Sequence, residues 1–157
     1  MTLQTTLLTD GSSDAVLLPI LRWVFRQLTP EAVELRWADL RGLPKPPRHL
    51  SDRLKCAVQL FSCQVLFVHR DAEGQTAGHR FDEITRANRT GLSHVCVIPV
   101  RMQEAWLLLS EDAVRMAAGR PSGKESLDLS HPTQWESLPD PKNTLHSALV
   151  TASGAKG

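Results

Sequence analysis

Leu3-Gln4-Thr5-Thr6-Leu7-Leu8-Thr9 runs directly into Asp10-Gly11-Ser12-Ser13-Asp14. The first seven residues are apolar or β-branched, and the next five are turn formers and helix caps, so a strand feeds a loop that opens a helix. From Asp14 to Leu28 the apolar residues Val16, Leu17, Ile20, Leu21, Val24, Phe25 and Leu28 recur at three- and four-residue spacing, with Arg22 and Arg26 opposite. Thr29-Pro30 stops that helix, and Val33 to Ala38 alternates as a second strand. One β-α-β unit is thus written into the first 38 residues.

The same grammar continues. After a proline-rich loop from Arg41 to Leu50, Ser51 can cap a helix over Asp52 to Phe61, with Leu54, Ala57, Val58 and Phe61 on one side. Gln64 to Val68 carries four consecutive apolar residues without alternation, the pattern of a strand buried on both faces of a parallel sheet. A polar helix over Gly78 to Asn88 and a fourth strand over Val95 to Ile98 follow. Met102 to Leu109 reads as helical, and Asp112 to Ala118 as another helix closed by Gly119. This alternation predicts an α/β protein, a three-layer Rossmann-like fold whose central, mostly parallel four-stranded sheet is flanked by helices. Residues 1–118 are expected to form that domain. Residues 119–157 are expected as an irregular extension packed on it, with one short helix from Pro141 to Val150 and an ending of tail composition.

Length and charge narrow the class. A chain of 157 residues suits one domain with a real core. Eighteen Lys and Arg against 17 Asp and Glu exclude a uniformly basic wrapper and an acidic solvating segment. Cys56, Cys63 and Cys96 are odd in number and lack metal-type spacing, which argues against a disulfide framework and a zinc site. The longest apolar run, Ala15 to Phe25, is broken by Pro19 and Arg22 and is too short to span a bilayer. A cytoplasmic protein without membrane contact is expected.

The acids fall at particular places. Asp10 follows strand one, Asp71 and Glu73 follow strand three, Glu104 lies a few residues past strand four, and Asp14 opens the first helix. In a parallel sheet these points share one edge, at the carboxyl ends of the strands, where open α/β proteins place ligands. Carboxylates set there repel one another, and a hard divalent cation offsets that repulsion. Mg²⁺, with Mn²⁺ able to substitute, is the natural candidate, because it takes one or two carboxylates and leaves positions for water and phosphate. Asp and Ser after a strand are also ordinary turn and N-cap residues, and Asp14 in particular can serve only as a cap.

Thr9-Asp10-Gly11-Ser12-Ser13-Asp14, Asp71-Ala72-Glu73 and Glu104, taken in this order, resemble the acidic signature of the Toprim fold. That fold is shared by topoisomerases, primases, certain nucleases and small Toprim-like proteins, several of them found with bacterial phage-defence systems. Val68-His69-Arg70-Asp71-Ala72-Glu73 with Val100 to Trp106 is most similar to one such small family. The resemblance covers residues 3 to 118, with two departures: Asp10 stands where Glu is usual, and Glu73 where a second Asp is usual. It implies a Mg²⁺-dependent nuclease, a phosphodiesterase acting on nucleic acid. Asp10, Asp71, Glu73 and Glu104 would be catalytic, and these four with Asp14 would be metal ligands. A protein partner encoded nearby and a homodimer are the candidate assemblies. The alternative is a non-catalytic Toprim-like module that binds a metal or nucleotide and acts through a protein partner. A phosphate-receiver reading of Asp10 with Asp71 lacks the lysine after a fifth strand that its chemistry wants.

No tyrosine exists in the chain, which excludes a phosphotyrosine intermediate and leaves hydrolysis as the simpler reaction. His69, Arg70, Arg80, Arg101 and Lys142 are the candidate phosphate and nucleic-acid contacts. Residues 36–55 carry six Arg or Lys against two Asp, with Trp37 and His49 interleaved, as a strand-tracking contact would. Trp23, Trp37, Trp106 and Trp135 read more simply as packing residues. Neither a Walker loop, a Gly-x-Gly-x-x-Gly turn nor a Gly-x-Ser-x-Gly elbow is present. Setting aside the five site acids leaves 18 basic residues against 12 acidic, so the near-neutral total is the sum of an acidic site and a basic remainder.

Overall fold

A computed structural model describes residues 2–155. Four strands, β1 (Leu3–Leu8), β2 (Val33–Trp37), β3 (Val65–His69) and β4 (Ser93–Val97), form one sheet in the order β2-β1-β3-β4. Every pairing is parallel, with Leu7 opposite Trp37 and Phe67, and Val68 opposite Cys96. The sheet is therefore wholly parallel where the sequence pattern promised mostly parallel. The helices that join its strands are α1 (Leu17–Leu28), α2 (Leu50–Leu60) and α3 (Ala77–Ala87).

Alternation along the strands sorts the helices into two layers. Phe67 meets Phe25 of α1 edge-on, with ring centroids 5.4 Å apart and planes at 84°. Its neighbours Leu66 and Val68 point to the opposite face, where they pack with Leu54 and Ala57 of α2 and Ile84 of α3. Each such fully buried aliphatic side chain contributes roughly 1.5–3 kcal/mol by its removal from water. Thr5 and Thr6 are also buried in β1, and their hydroxyls donate to backbone carbonyls, Thr5 to Glu34 at 3.1 Å and Thr6 to Phe61 at 3.0 Å. A buried hydroxyl without such a partner would cost the strand more than its methyl gains.

The chain divides into two compact units. One comprises residues up to Arg70 together with Ala77–Ile98, and so holds the whole sheet with α1 to α3. The other comprises Asp71–Thr76 together with the chain from Pro99 onward. In this second unit Gln103–Leu107 forms a 3₁₀ turn where a regular helix was expected over Met102 to Leu109. The stretch is too short to propagate a helix, because Ser110 already caps the next one by accepting the Ala113 N–H at 3.1 Å. That next helix, α4 (Glu111–Ala117), packs with α5 (Pro141–Ser153) around Val114, Leu127, Ala148 and Ala152. Pro132–Ser137 adds a 3₁₀ turn inside the stretch read as irregular. No helix among the described residues is long and apolar enough to cross a membrane.

The tryptophans divide. Trp37 donates its indole N–H to Thr9 Oγ1 at 3.1 Å, Trp106 to Glu136 at 3.1 Å and Trp135 to the Ser130 carbonyl at 2.9 Å. Trp23, expected to pack, is 61% exposed on α1.

Candidate functional site

The winding of the sheet reverses beside β1. From β1 the chain moves one way to β2, then crosses back to place β3 on the other side, which makes the carboxyl ends of β1 and β3 a topological switch point. Leu8 and Val68 are register partners there, so Thr9-Asp10 and His69-Arg70 leave the sheet side by side.

Within this first unit, charge is arranged as a chain of ion pairs. Arg53, in the first turn of α2, donates to Asp10 Oδ1 at 2.5 Å and to the Thr9 carbonyl at 2.5 Å. Arg70 donates through Nε to Asp10 Oδ2 at 3.0 Å and through Nη1 to Glu83 of α3 at 2.5 Å. Arg80 holds the other Glu83 oxygen at 2.9 Å. Both oxygens of Asp10 are thus engaged by guanidinium groups, while the carboxylate stays 39% exposed. Three arginines surround two acids here, and their planar donor sets match carboxylate and phosphate oxygens equally well.

Asp14 has a different environment. Its carboxylate is 8% exposed, accepts the Gly11 N–H at 2.7 Å and the Ser13 hydroxyl at 3.2 Å, and lies 3.3 Å from His69 Nδ1. It folds the β1–α1 loop onto itself rather than capping the helix: the Ser13–Val16 turn that opens α1 makes no side-chain cap bond. His69 is the last residue of β3 and only 1% exposed, so it offers no surface contact.

The second unit carries the remaining acids. Asp71 is half-buried, and the following Ala72 N–H donates to the Pro99 carbonyl at 3.2 Å, which ties the 71–76 segment to the start of the 99–157 stretch. Glu73 is exposed and holds φ of 51°, in the left-handed region that costs a non-glycine residue about 1–3 kcal/mol, and Gly74 continues it at 84°. Glu104 is 13% exposed, with the Lys142 ammonium at 3.5 Å. Arg101 is exposed. Among the described residues, no three His, Cys, Asp or Glu side chains are gathered as a closed metal cage would require.

The basic stretch 36–55 is less uniform in space than in sequence. Arg36 pairs with Glu34 at 2.8 Å and Arg53 with Asp10. Arg41 grips Asp39 through two guanidinium bonds of 2.7 and 2.6 Å, adds its own N–H, and lies over the Trp37 ring. These bonds hold the Asp39 carboxyl down at about 2. Lys45, Arg48 and Lys55 remain as exposed cations of the stretch.

The sequence reading counted Arg53 only among the six cations of residues 36–55, and Glu83 escaped it. A signal for Arg53 was present: a cation in the first turn of a helix opposes the macrodipole, and the N-termini of helices that follow parallel strands lie at the same edge as Asp10. Fold and edge together define an α/β protein of Rossmann-like topology with an arginine-rich switch point. No family model, curated protein or solved structure matches the chain.

Proposed function

We infer that this protein binds phosphodiesters of nucleic acid at the carboxyl edge of its sheet and hydrolyses them with a divalent cation, Mg²⁺ or Mn²⁺. The reading rests on one observation: at the switch point between β1 and β3, Arg53 and Arg70 converge on Asp10, so donors that match phosphate oxygens gather at adjacent strand ends.

The acids take different roles in this reading. Asp10 and Asp14 already spend their oxygens on guanidinium, amide and hydroxyl donors. Asp71 and Glu73, two residues apart, supply the one or two hard oxygen ligands that Mg²⁺ takes from a protein, and Glu104 is the further carboxylate of the same unit. When bound there, the metal would polarise the phosphoryl group and lower the pKa of a water. The chain's own contributions are the carboxylates that hold it, and Arg53 and Arg70, whose fork-shaped donors can exchange the Asp10 carboxylate for a phosphate of the same charge sense. With no tyrosine in the chain, water rather than a tyrosine oxygen is the acceptor.

Cleavage of labelled single-stranded DNA and RNA in Mn²⁺, with and without chelator, tests this reading. Metal-dependent cleavage by the wild-type chain that Asp71→Ala abolishes is the expected result; equal cleavage by both overturns it. The double clamp on Asp10 favours a second reading, a module that binds phosphate without turnover. Oligonucleotide binding without cleavage in any metal would select it.

A further inference from the structure

Within the second unit, the 3₁₀ turns Gln103–Leu107 and Pro132–Ser137 each carry one tryptophan. Trp106 and Trp135 line a common concavity of about 430 Å³ together with Leu109, Pro132 and Glu136. That volume falls in the range of small-molecule sites, which are mostly apolar with a few placed polar groups. Each indole N–H is already committed, Trp106 to Glu136 Oε1 at 3.1 Å and Trp135 to the Ser130 carbonyl at 2.9 Å. These bonds tie down the polar edge of two half-buried rings, so what the rings offer the concavity is carbon. The two turns hold two acids, Glu104 and Glu136, and no Lys or Arg. Glu104 faces the Lys142 ammonium, whereas Glu136 makes no ion pair among the described residues, and the lining is net negative. Elsewhere in the chain an indole face already receives a cation: Arg41 lies 5.4 Å from the centre of the Trp37 ring. Among the described residues, no Lys or Arg does the same at Trp106 or Trp135.

We propose that this concavity binds a quaternary ammonium group, the cationic end of a choline-like small molecule. The proposal stands apart from the phosphodiester reading and uses none of its residues. Charge complementarity selects a cation, because the carboxylate of Glu136 attracts one and repels phosphate and carboxylate ligands. The negative face of an indole ring acts in the same sense on a cation within about 6 Å of its centre. The carbon lining then selects among cations. A plain ammonium is a compact, strongly hydrated charge that keeps its water or asks for several acceptors. A trimethylammonium group needs no hydrogen bond, and its methyls can pack on Trp106, Trp135, Leu109 and Pro132 while its charge meets the rings and Glu136. The same group occurs in free solutes and in phosphatidylcholine headgroups, and the experiment separates the two sources.

Choline chloride titrated at constant ionic strength, with the indole N–H signals of the four tryptophans followed by proton–nitrogen correlation NMR, tests the site. The Trp106 and Trp135 signals should move and saturate, while those of Trp37 and of Trp23, which is 61% exposed, stay in place. Dimethylbutanol, the neutral carbon isostere of choline, should bind at least about tenfold more weakly, since it has the shape without the charge. Trp135→Leu, read at Trp106, should weaken choline roughly tenfold, and Trp135→Phe should recover part of that loss. Glu136→Gln keeps an acceptor for the Trp106 N–H at an exposed position, so it tests the charge without disturbing the fold; it should weaken choline roughly threefold. Isostere binding as tight as choline, a Trp23 signal that moves in step with the other two, or unchanged affinity in Glu136→Gln overturns the proposal. So does a wild-type chain with no saturable shift, or one that binds phosphatidylcholine vesicles and not free choline.

Discussion

The acids of the two units live under different physical terms. In the first unit Asp10 and Asp14 are both spoken for: one is clamped between Arg53 and Arg70, and the other is buried against the Gly11 amide, the Ser13 hydroxyl and His69. In the second, Glu73 is exposed at a left-handed φ and has an interaction of its own, and Glu104 lies 3.5 Å from the Lys142 ammonium. Carboxylates that look equivalent as letters thus meet different donors, guanidinium and a buried amide in one unit and an ammonium in the other. Sequence spacing can place a carboxylate at a strand end, but the donors around it decide what that carboxylate does.

Substitutions probe this division, beginning with the largest expected effect. Glu73→Ala and Glu104→Gln each remove a proposed cation ligand, and metal-dependent cleavage should fall by roughly 10²–10³-fold, as the loss of several kcal/mol of charge stabilisation implies. Their thermal midpoints should stay near the wild-type value. Asp14→Ala should do the reverse. Removing the buried carboxylate strands the donors around it, at about 1–3 kcal/mol each, and the denaturant midpoint should fall at constant slope.

Arg53→Met breaks one arm of the Asp10 clamp. The pair is partly exposed, so stability should change by only about 1 kcal/mol or less, and a double-mutant cycle with Asp10→Asn measures the coupling. A coupling as large as that of a buried network would contradict the view of Asp10 as exchangeable with phosphate. The smallest effect concerns Asp39, whose carboxyl Arg41 holds at about 2. Because its folded value lies below the ordinary 3.8, the pair adds stability above that range and loses it as pH falls through about 2. A carbon-detected NMR titration should find that midpoint, and Arg41→Ala should return it toward the ordinary value.

Much of the fold could be read along the chain because its signals are local. Val65 to Val68 declares a doubly buried strand by having no polar face, and Leu17 to Leu28 declares a helix by its period. The turn at Gln103–Leu107 was misread as a longer helix, since apolar residues alone do not reveal that Ser110 starts a new element two residues after Leu108. The exposed Trp23 shows the same limit from the other side, for size and apolarity do not assign a side chain to the core. The positions of Asp10 and Arg70 at adjacent strand ends followed from strand order. Their partners did not, because Arg53 lies 43 residues from Asp10 and pairs with it only once α2 is laid on the sheet.

The division of the acids is tested most directly by titrating Mn²⁺ into the wild-type chain and into Asp71→Asn and Asp10→Asn variants, with bound metal followed by electron paramagnetic resonance. The account predicts that the wild type binds, that Asp71→Asn loses the bound signal and that Asp10→Asn keeps it. Binding that survives Asp71→Asn but disappears in Asp10→Asn, or a wild-type chain that binds no Mn²⁺, would contradict it.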